Sequence, residues 1–146
     1  MIQRIAFALL LSALLLPISG CSSAGTAGQT LKASVAGFNK SLRWKKFNGA
    51  ASFLPAAERS EFLKHYLGLE KDLFIQSLEI RSVQFQDSSR NSKPEQTSQQ
   101  AQVLVMAEYY ILPSTVVKRR PVMQSWELRN GNWQMIKSNF DFSHRN

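Results

Sequence analysis

The stretch QQAQVLVMAEYYIL, residues 99–112, decides how this chain folds. In an extended chain alternate residues point to opposite sides, and here both sides are largely apolar. This pattern predicts a central strand of a sheet, covered by helix on at least one face. One face carries Val103, Val105, Ala107, Tyr109 and Ile111, and the other carries Leu104, Met106, Glu108, Tyr110 and Leu112.

A second long strand is predicted before it, over residues 73–86, LFIQSLEIRSVQFQ. Its apolar residues change parity part-way along, so we expect a β-bulge near Arg81 and Ser82. Between the two strands, the polar residues 87–98 predict a loop with a mobile tip.

After the central strand, residues 115–129 read as further strand material, which Pro121 interrupts. Proline cannot donate to a β-ladder, so it requires an edge or a bulge position. Asn130 and Gly131 form the strongest turn signal in the chain and predict a hairpin, whose last strand runs to about Phe140.

Two helices are predicted at the start of the folded part. The first begins near Leu31, and at Trp44 the apolar stripe moves to nearly the opposite side. One straight helix would be apolar on both faces, so we expect a bend or break, with Asn48 and Gly49 as the weak point. The two stripes are Leu31, Val35, Phe38 and Leu42, then Trp44, Phe47, Ala51 and Leu54.

A third helix is predicted after Pro55, with Gly68 as a plausible stop. His65 lies beside its predicted buried face, and a lone histidine there is typical of an exposed or hydrogen-bonded surface residue. That face consists of Phe62, Leu63, Tyr66 and Leu67.

The predicted fold class is therefore α+β, with N-terminal helices packed on a curved four-stranded antiparallel sheet. The opening FNKSLRWKKFNGAASFL and the closing QSWELRNGNWQMI, together with the long strands between them, resemble the cone-shaped nuclear transport factor 2-like superfamily. Cystatin-like helix-on-sheet folds are the nearest alternative. The resemblance implies a cone with an inner pocket and a possible homodimer through the sheet.

The N-terminus has the three parts of a secretory signal: Arg4, an apolar run, and small residues before Cys21. The apolar run 5–19 is shorter than the roughly 20 residues that a membrane-spanning helix needs. Ile18-Ser19-Gly20-Cys21 resembles the lipobox of bacterial lipoproteins.

That resemblance implies a diacylglyceryl thioether on Cys21, cleavage before it, and acylation of the new amino group, for example with palmitate. Ser22 stands where lipoproteins retained in the inner membrane usually carry Asp, which favours an outer-membrane protein facing the periplasm. The alternative is an ordinary signal peptide with a chance cysteine beyond its cleavage site.

The predicted organisation is a signal peptide (1–20), a flexible tether (21–30), one domain (31–142) and a polar tail (143–146). Removing Arg4 with the signal leaves 17 basic and 10 acidic residues, a formal charge of +7. In an exported lipoprotein this charge favours anionic lipid, lipopolysaccharide phosphate or an acidic protein over nucleic acid as the partner. The alternative is that the charge only keeps the domain soluble. No cysteine follows Cys21, so the mature fold does not rely on a disulfide.

A pocket inside the cone would need titratable groups that converge on an apolar cavity. The titratable and polar candidates are Glu108, Tyr109, Tyr110, Gln124 and Glu127, and the predicted pocket combines Glu108 and Tyr110 with Gln124 and Trp126. The alternative for all of them is cross-strand packing and solvated acids. The sequence carries no metal-ligand spacing, no phosphate loop and no nucleophile elbow, so no metal or cofactor is predicted.

Three adjacent cations, Lys118, Arg119 and Arg120, form the other candidate site. On a strand they must occupy both faces, so we expect them at an edge or a hairpin tip. They suit the phosphates of lipid A or an acidic partner. The alternative is that they protect an edge strand from aggregation.

Two functions follow from these observations. The first is a lipid-anchored, non-enzymatic lipoprotein of the cell envelope that binds a protein or another envelope component. The second is a small cone-fold enzyme or ligand carrier with an apolar pocket.

Overall fold

A computed structural model describes residues 27–86 and 99–140 of the chain. The predicted signal peptide, Cys21, the loop 87–98 and the tail 143–146 lie outside these residues. The helices are α1 (Ala27–Arg43), α2 (Phe47–Ala51) and α3 (Arg59–Leu69), with a short 3-10 turn (Ala56–Glu58) before α3. The strands are β1 (Leu73–Gln86), β2 (Gln100–Ile111), β3 (Lys118–Arg129) and β4 (Asn132–Ser138).

The four strands form one antiparallel sheet in the order β1-β2-β3-β4. The predicted α+β fold is confirmed, and residues 99–112 supply β2 inside the sheet. One face of β2, the inner face, is buried under the helices, whereas the other, the outer face, is only half-buried. The buried residues of β2 are Ala101, Val103, Val105, Ala107 and Tyr109.

The sheet is irregular at two points of β1. Its register with β2 shifts between Ile80 and Ser82, which confirms the bulge predicted from the change of parity. A second shift, between Ile75 and Ser77, is not evident from the sequence. Bulges bend a strand and increase its twist, so the sheet curves around the helices in a cone-like shape.

The break between the first two helices is real, but the sequence misplaces it. Lys45 adopts a positive φ of 56°, which ends the helical path just after Arg43. Asn48 and Gly49 lie inside α2. The break turns Trp44 outward, and this residue, predicted to be buried, is 62% exposed.

Two further helix predictions need correction. The first helix starts at Ala27, so the last four residues of the predicted tether 21–30 are helical. Leu67, assigned to the buried face of the third helix, is exposed. Residue Tyr66 alone is fully buried on α3, where its ring packs against Phe62 and Phe47.

The hairpin and the proline occupy the predicted positions. Asn130 and Gly131 have φ values of 51° and 78°, as a tight two-residue turn requires. Pro121 pairs with Met106 of β2 on one side, whereas β4 pairs with β3 only from Gln124 onward. Pro121 therefore stands at a local edge of β3.

Candidate functional site

The four residues predicted to share one pocket lie on opposite faces of the sheet, so that prediction is wrong. Gln124 and Trp126 are on the inner face, opposite Val103 and Ala101 of β2, and both are fully buried. Glu108 and Tyr110 of β2 belong to the outer face. Tyr109 is buried on the inner face, and Glu127 forms an ion pair with Arg129 on the outer face.

A chain of polar side chains runs through the core beneath the helices. The Trp126 indole Nε1–H donates to Gln124 Oε1 (3.1 Å), and the Gln124 amide donates to Asn39 Oδ1 on α1 (3.0 Å). Asn39 is 4% exposed, and its Nδ2 has no hydrogen-bond partner. This chain ties α1 to the centre of β3, which is a structural role.

Replacement of Gln124 by leucine should destabilise the domain by about 2 kcal/mol or more, because it leaves the Trp126 N–H and Asn39 buried without partners. Gln102 lies on the outer face, and Gln102→Leu should change the free energy of unfolding by less than about 0.5 kcal/mol. Urea denaturation of both variants measures the difference. If the two variants lost equal stability, the hydrogen bonds that join Trp126, Gln124 and Asn39 would contribute nothing to the stability of the domain.

The outer face of the sheet carries its own cluster of apolar side chains. In the paired strands Leu104 lies opposite Met123, and Met106 lies opposite Pro121. Met123 and Pro121 are exposed, and the other two are half-buried. We call these four residues the outer apolar cluster.

Polar and aromatic pairs flank the outer apolar cluster. The Glu108 carboxylate accepts a hydrogen bond from the Ser77 hydroxyl (3.1 Å) and lies 3.5 Å from Arg119 Nε. The rings of Phe74 and Tyr110 stack with their centroids 5.0 Å apart. These contacts fit cross-strand packing and a surface ion pair, and they place no acid in a cavity.

The three cations begin β3, next to Pro121, at the local edge that β4 leaves unpaired. Arg119 belongs to the outer face, whereas Lys118 and Arg120 lie opposite Tyr109 and Ala107 and so belong to the inner side. Lys118 and Arg119 are exposed, and Arg120 is half-buried with one guanidinium N–H 3.4 Å from the Asn139 carbonyl oxygen. The predicted position at an edge is confirmed.

The inner side of the cone holds a cavity of about 310 Å³ between α3 and β4. Its walls are mainly aromatic and apolar, and its polar members come from the 3-10 turn, α3 and β4. His65, predicted to be a surface residue, is half-buried there, with Nε2 buried and without a hydrogen-bond partner. The lining residues include Phe38, Phe62, Tyr66 and Met135, with Glu58, Glu61, His65 and Lys137.

Sequence reasoning missed this cavity because Glu58 and Glu61 are also what a helix start favours. No periodic signal links α3 to Lys137 of β4, far along the chain. Within residues 27–86 and 99–140, no group of three His, Cys, Asp or Glu side chains could hold a metal ion. No helix in that part of the chain is long and apolar enough to cross a membrane.

Solved structures show the same fold. A SEC-C motif containing protein from Rhodopseudomonas palustris is similar over 68% of this chain and 70% of its own, with a TM-score of 0.51 and 10% sequence identity. A putative Ca/calmodulin-dependent kinase II association domain from Exiguobacterium sibiricum is similar over 78% of this chain and 91% of its own, with a TM-score of 0.56 and 11% identity. No family model and no curated protein matches the sequence. At these identities the similarity concerns the fold alone: helices on an open four-stranded antiparallel sheet.

Proposed function

We propose that this protein is a lipid-anchored lipoprotein of the cell envelope that binds a protein partner without catalysing a reaction. The lipobox-like Ile18-Ser19-Gly20-Cys21 supports the anchor. A single acyl chain binds a membrane only marginally, and the doubly modified Cys21 of this proposal supplies the stable anchorage that needs more than one chain. The protein resides in the outer membrane and faces the periplasm.

The observation that carries the binding role is the exposed outer face of the sheet. Among the described residues the helices pack only on the inner face, so the outer apolar cluster has no covering element. Apolar patches that polar residues surround are typical of protein contact sites. The occupant is an envelope protein or a second copy of this chain.

The cations at the start of β3 enlarge this surface. Arg119 is exposed on the outer face, as is Pro121 of the outer apolar cluster, and Lys118 is exposed next to Arg119 at the local edge of β3. Positive charge at the rim of an interface speeds association with an acidic partner and adds modestly to affinity. The same residues suit phosphate groups of an anionic envelope component.

Replacement of Lys118, Arg119 and Arg120 together by serine should lower partner capture about tenfold, because the steering charge and three donors are lost. Cross-linking in intact cells, followed by mass spectrometry of the adducts, measures capture and identifies the partner. The matched control replaces Lys32, Lys46 and Lys64, three exposed lysines elsewhere, by serine. If both triple variants lose capture equally, net charge is responsible and the β3 cations are not the contact.

A second candidate function, ligand carriage or catalysis, rests on the cavity between α3 and β4. His65→Phe removes the two ring nitrogens of this lining residue. If the cavity binds a ligand, the variant should lose that binding; if the protein only binds a partner through its outer face, the variant should behave as wild type. Glu108→Gln, which changes the outer face, should leave the cavity unaffected. If neither the β3 triple variant nor His65→Phe alters a phenotype that deletion of the mature domain produces, both assignments are wrong.

A further inference from the structure

A groove separate from the outer face and from the α3 cavity runs between α1 and β1. Its volume is about 320 Å³, within the range of small binding sites. The α1 side contributes polar and charged residues, and the β1 side contributes two aliphatic residues of the inner face. The lining residues are Ala36, Asn39, Lys40, Arg43 and Trp44 with Leu78 and Ile80.

The charge of this groove has one sign. Lys40 and Arg43 are exposed one helical turn apart, and no acidic residue is among the lining residues. Neither cation forms an ion pair with a described carboxylate. An anionic ligand would therefore meet two cations that no described carboxylate already neutralises.

Asn39 borders the same groove and is the one lining residue with an unsatisfied buried polar atom, its Nδ2. A buried amide N–H without a partner is unfavourable, so an acceptor that reached it would relieve that cost. Its Oδ1 is already used by Gln124, so the free hydrogen-bonding capacity of this side chain is that of a donor. Donor capacity favours a carboxylate or a carbonyl oxygen in the ligand.

Trp44 stands at the rim of the groove, with the Arg43 guanidinium 5.5 Å from its ring centroid. Trp126 and Trp133 are buried, so Trp44 is the exposed tryptophan of the protein. Exposed Trp and Arg side chains are the types most often found at the energetic centre of protein contacts. This pair suits an apolar side chain next to an acidic one.

The groove follows an edge strand. Within the described chain no strand pairs with β1 on the side away from β2. Between its two bulges, β1 pairs regularly with β2 over four residues, from Ser77 to Ile80. Two of these, Leu78 and Ile80, line the groove, so a short extended segment added to this edge would lie beside Lys40 and Arg43.

We propose that the groove between α1 and β1 binds a short, extended acidic segment of a partner protein, which adds a strand to the edge of β1. The acidic side chains pair with Lys40 and Arg43, and an apolar side chain packs on Trp44 and Ile80. The bulges on either side limit the added strand to about four residues, because regular pairing stops at each of them.

The test titrates the mature chain with a peptide of about six residues that alternates glutamate and valine, while Trp44 fluorescence is recorded. Wild-type protein should give a saturable change in emission. The same peptide with lysine in place of glutamate should give none. A glutamate peptide N-methylated on every backbone nitrogen should also fail, because it has no N–H group left to donate to the strand edge.

The double variant Lys40→Glu with Arg43→Glu should bind the peptide at least about tenfold more weakly, since attraction becomes repulsion. Its matched control, Lys64→Glu with Lys71→Glu, has the same net charge, and both of its sites are exposed outside the groove. We expect it to bind within about twofold of wild type, because distant surface charges are largely screened. Ile80→Glu serves as a second groove variant should the double variant misfold.

Three results would overturn the proposal. If the groove variant and its control bound the peptide equally weakly, net charge and not the groove would explain the loss of binding. If the N-methylated peptide bound as tightly as the unmodified one, strand addition would be excluded as the mode of binding. A change in Trp44 emission with protein concentration alone, without peptide, would show that a second copy of the chain fills the groove.

Discussion

Replacement of Trp126 by alanine should lower the free energy of unfolding by about 3–5 kcal/mol, a large fraction of the stability of a domain this size. Trp126 is fully buried at the centre of β3. Its ring packs edge-on against Phe38 of α1, with the ring centroids 6.0 Å apart, and against Phe53, with the centroids 6.3 Å apart. Trp126 therefore joins the helical layer to the sheet. The substitution also leaves Gln124 Oε1 without its donor.

Urea denaturation followed by circular dichroism measures this loss. The matched control is Trp44→Ala, which removes the same side chain from an exposed position and should cost less than about 0.5 kcal/mol. If the two variants lose equal stability, the helices do not pack on the sheet through Trp126, and the arrangement of the core described above is wrong.

Cys21→Ser, made with a cleavable secretion signal that lacks a lipobox in place of residues 1–20, should release the protein from membranes almost completely, the largest effect we expect on its location. The oxygen of serine cannot replace the thioether sulfur, so no diacylglyceryl group is attached, and the substituted signal is removed independently of lipidation. Without acyl chains a basic domain retains only weak, salt-sensitive attraction to anionic lipid. Fractionation of cells into membrane and soluble protein, with a salt wash, gives the readout.

Ser22→Asp is the informative control for that experiment. It keeps Cys21, so the protein should remain in a membrane fraction, and the lipoprotein resemblance implies a shift from the outer to the inner membrane. Persistence of the Cys21→Ser protein in the membrane after a high-salt wash would contradict lipid anchoring through this residue.

The strands were predictable from the sequence because successive side chains of a strand point to opposite faces. The spacing of apolar residues therefore shows which face of each strand is buried. Apolar residues on both sides of 99–112 placed β2 inside the sheet, and the change of parity in β1 revealed the bulge near Arg81. Asn130 and Gly131 specified their hairpin because that turn needs positive φ at both positions. These signals lie in neighbouring residues, so they can be recognised without knowing the tertiary contacts.

The breaks between helices were less predictable because they depend on tertiary contacts. Lys45 adopts a positive φ that its residue type does not favour, while its side chain lies 4.0 Å above the Phe74 ring and donates to the Glu70 carbonyl oxygen. No local sequence pattern indicates these partners of Lys45, so the helix break was predicted at Asn48 and Gly49 instead. The misplaced break also reversed the predicted burial of Trp44.

The candidate site failed for a related reason. Along one strand the sequence shows which residues share a face, and Gln124 with Trp126 was grouped correctly. Whether Glu108 shares a face with Gln124 depends on the register between β2 and β3, which pairs Glu108 with Arg119 and Gln124 with Val103. A single strand does not contain that register, so residues from opposite faces were placed in one pocket.

Mass spectrometry of the mature N-terminus, on protein purified with detergent from bacterial membranes, tests the central proposal most directly. We expect that the first residue is Cys21 and that its fragment carries the mass of a diacylglyceryl group and an N-linked acyl chain. A free thiol at Cys21, or a mature chain that starts at another residue, would contradict it.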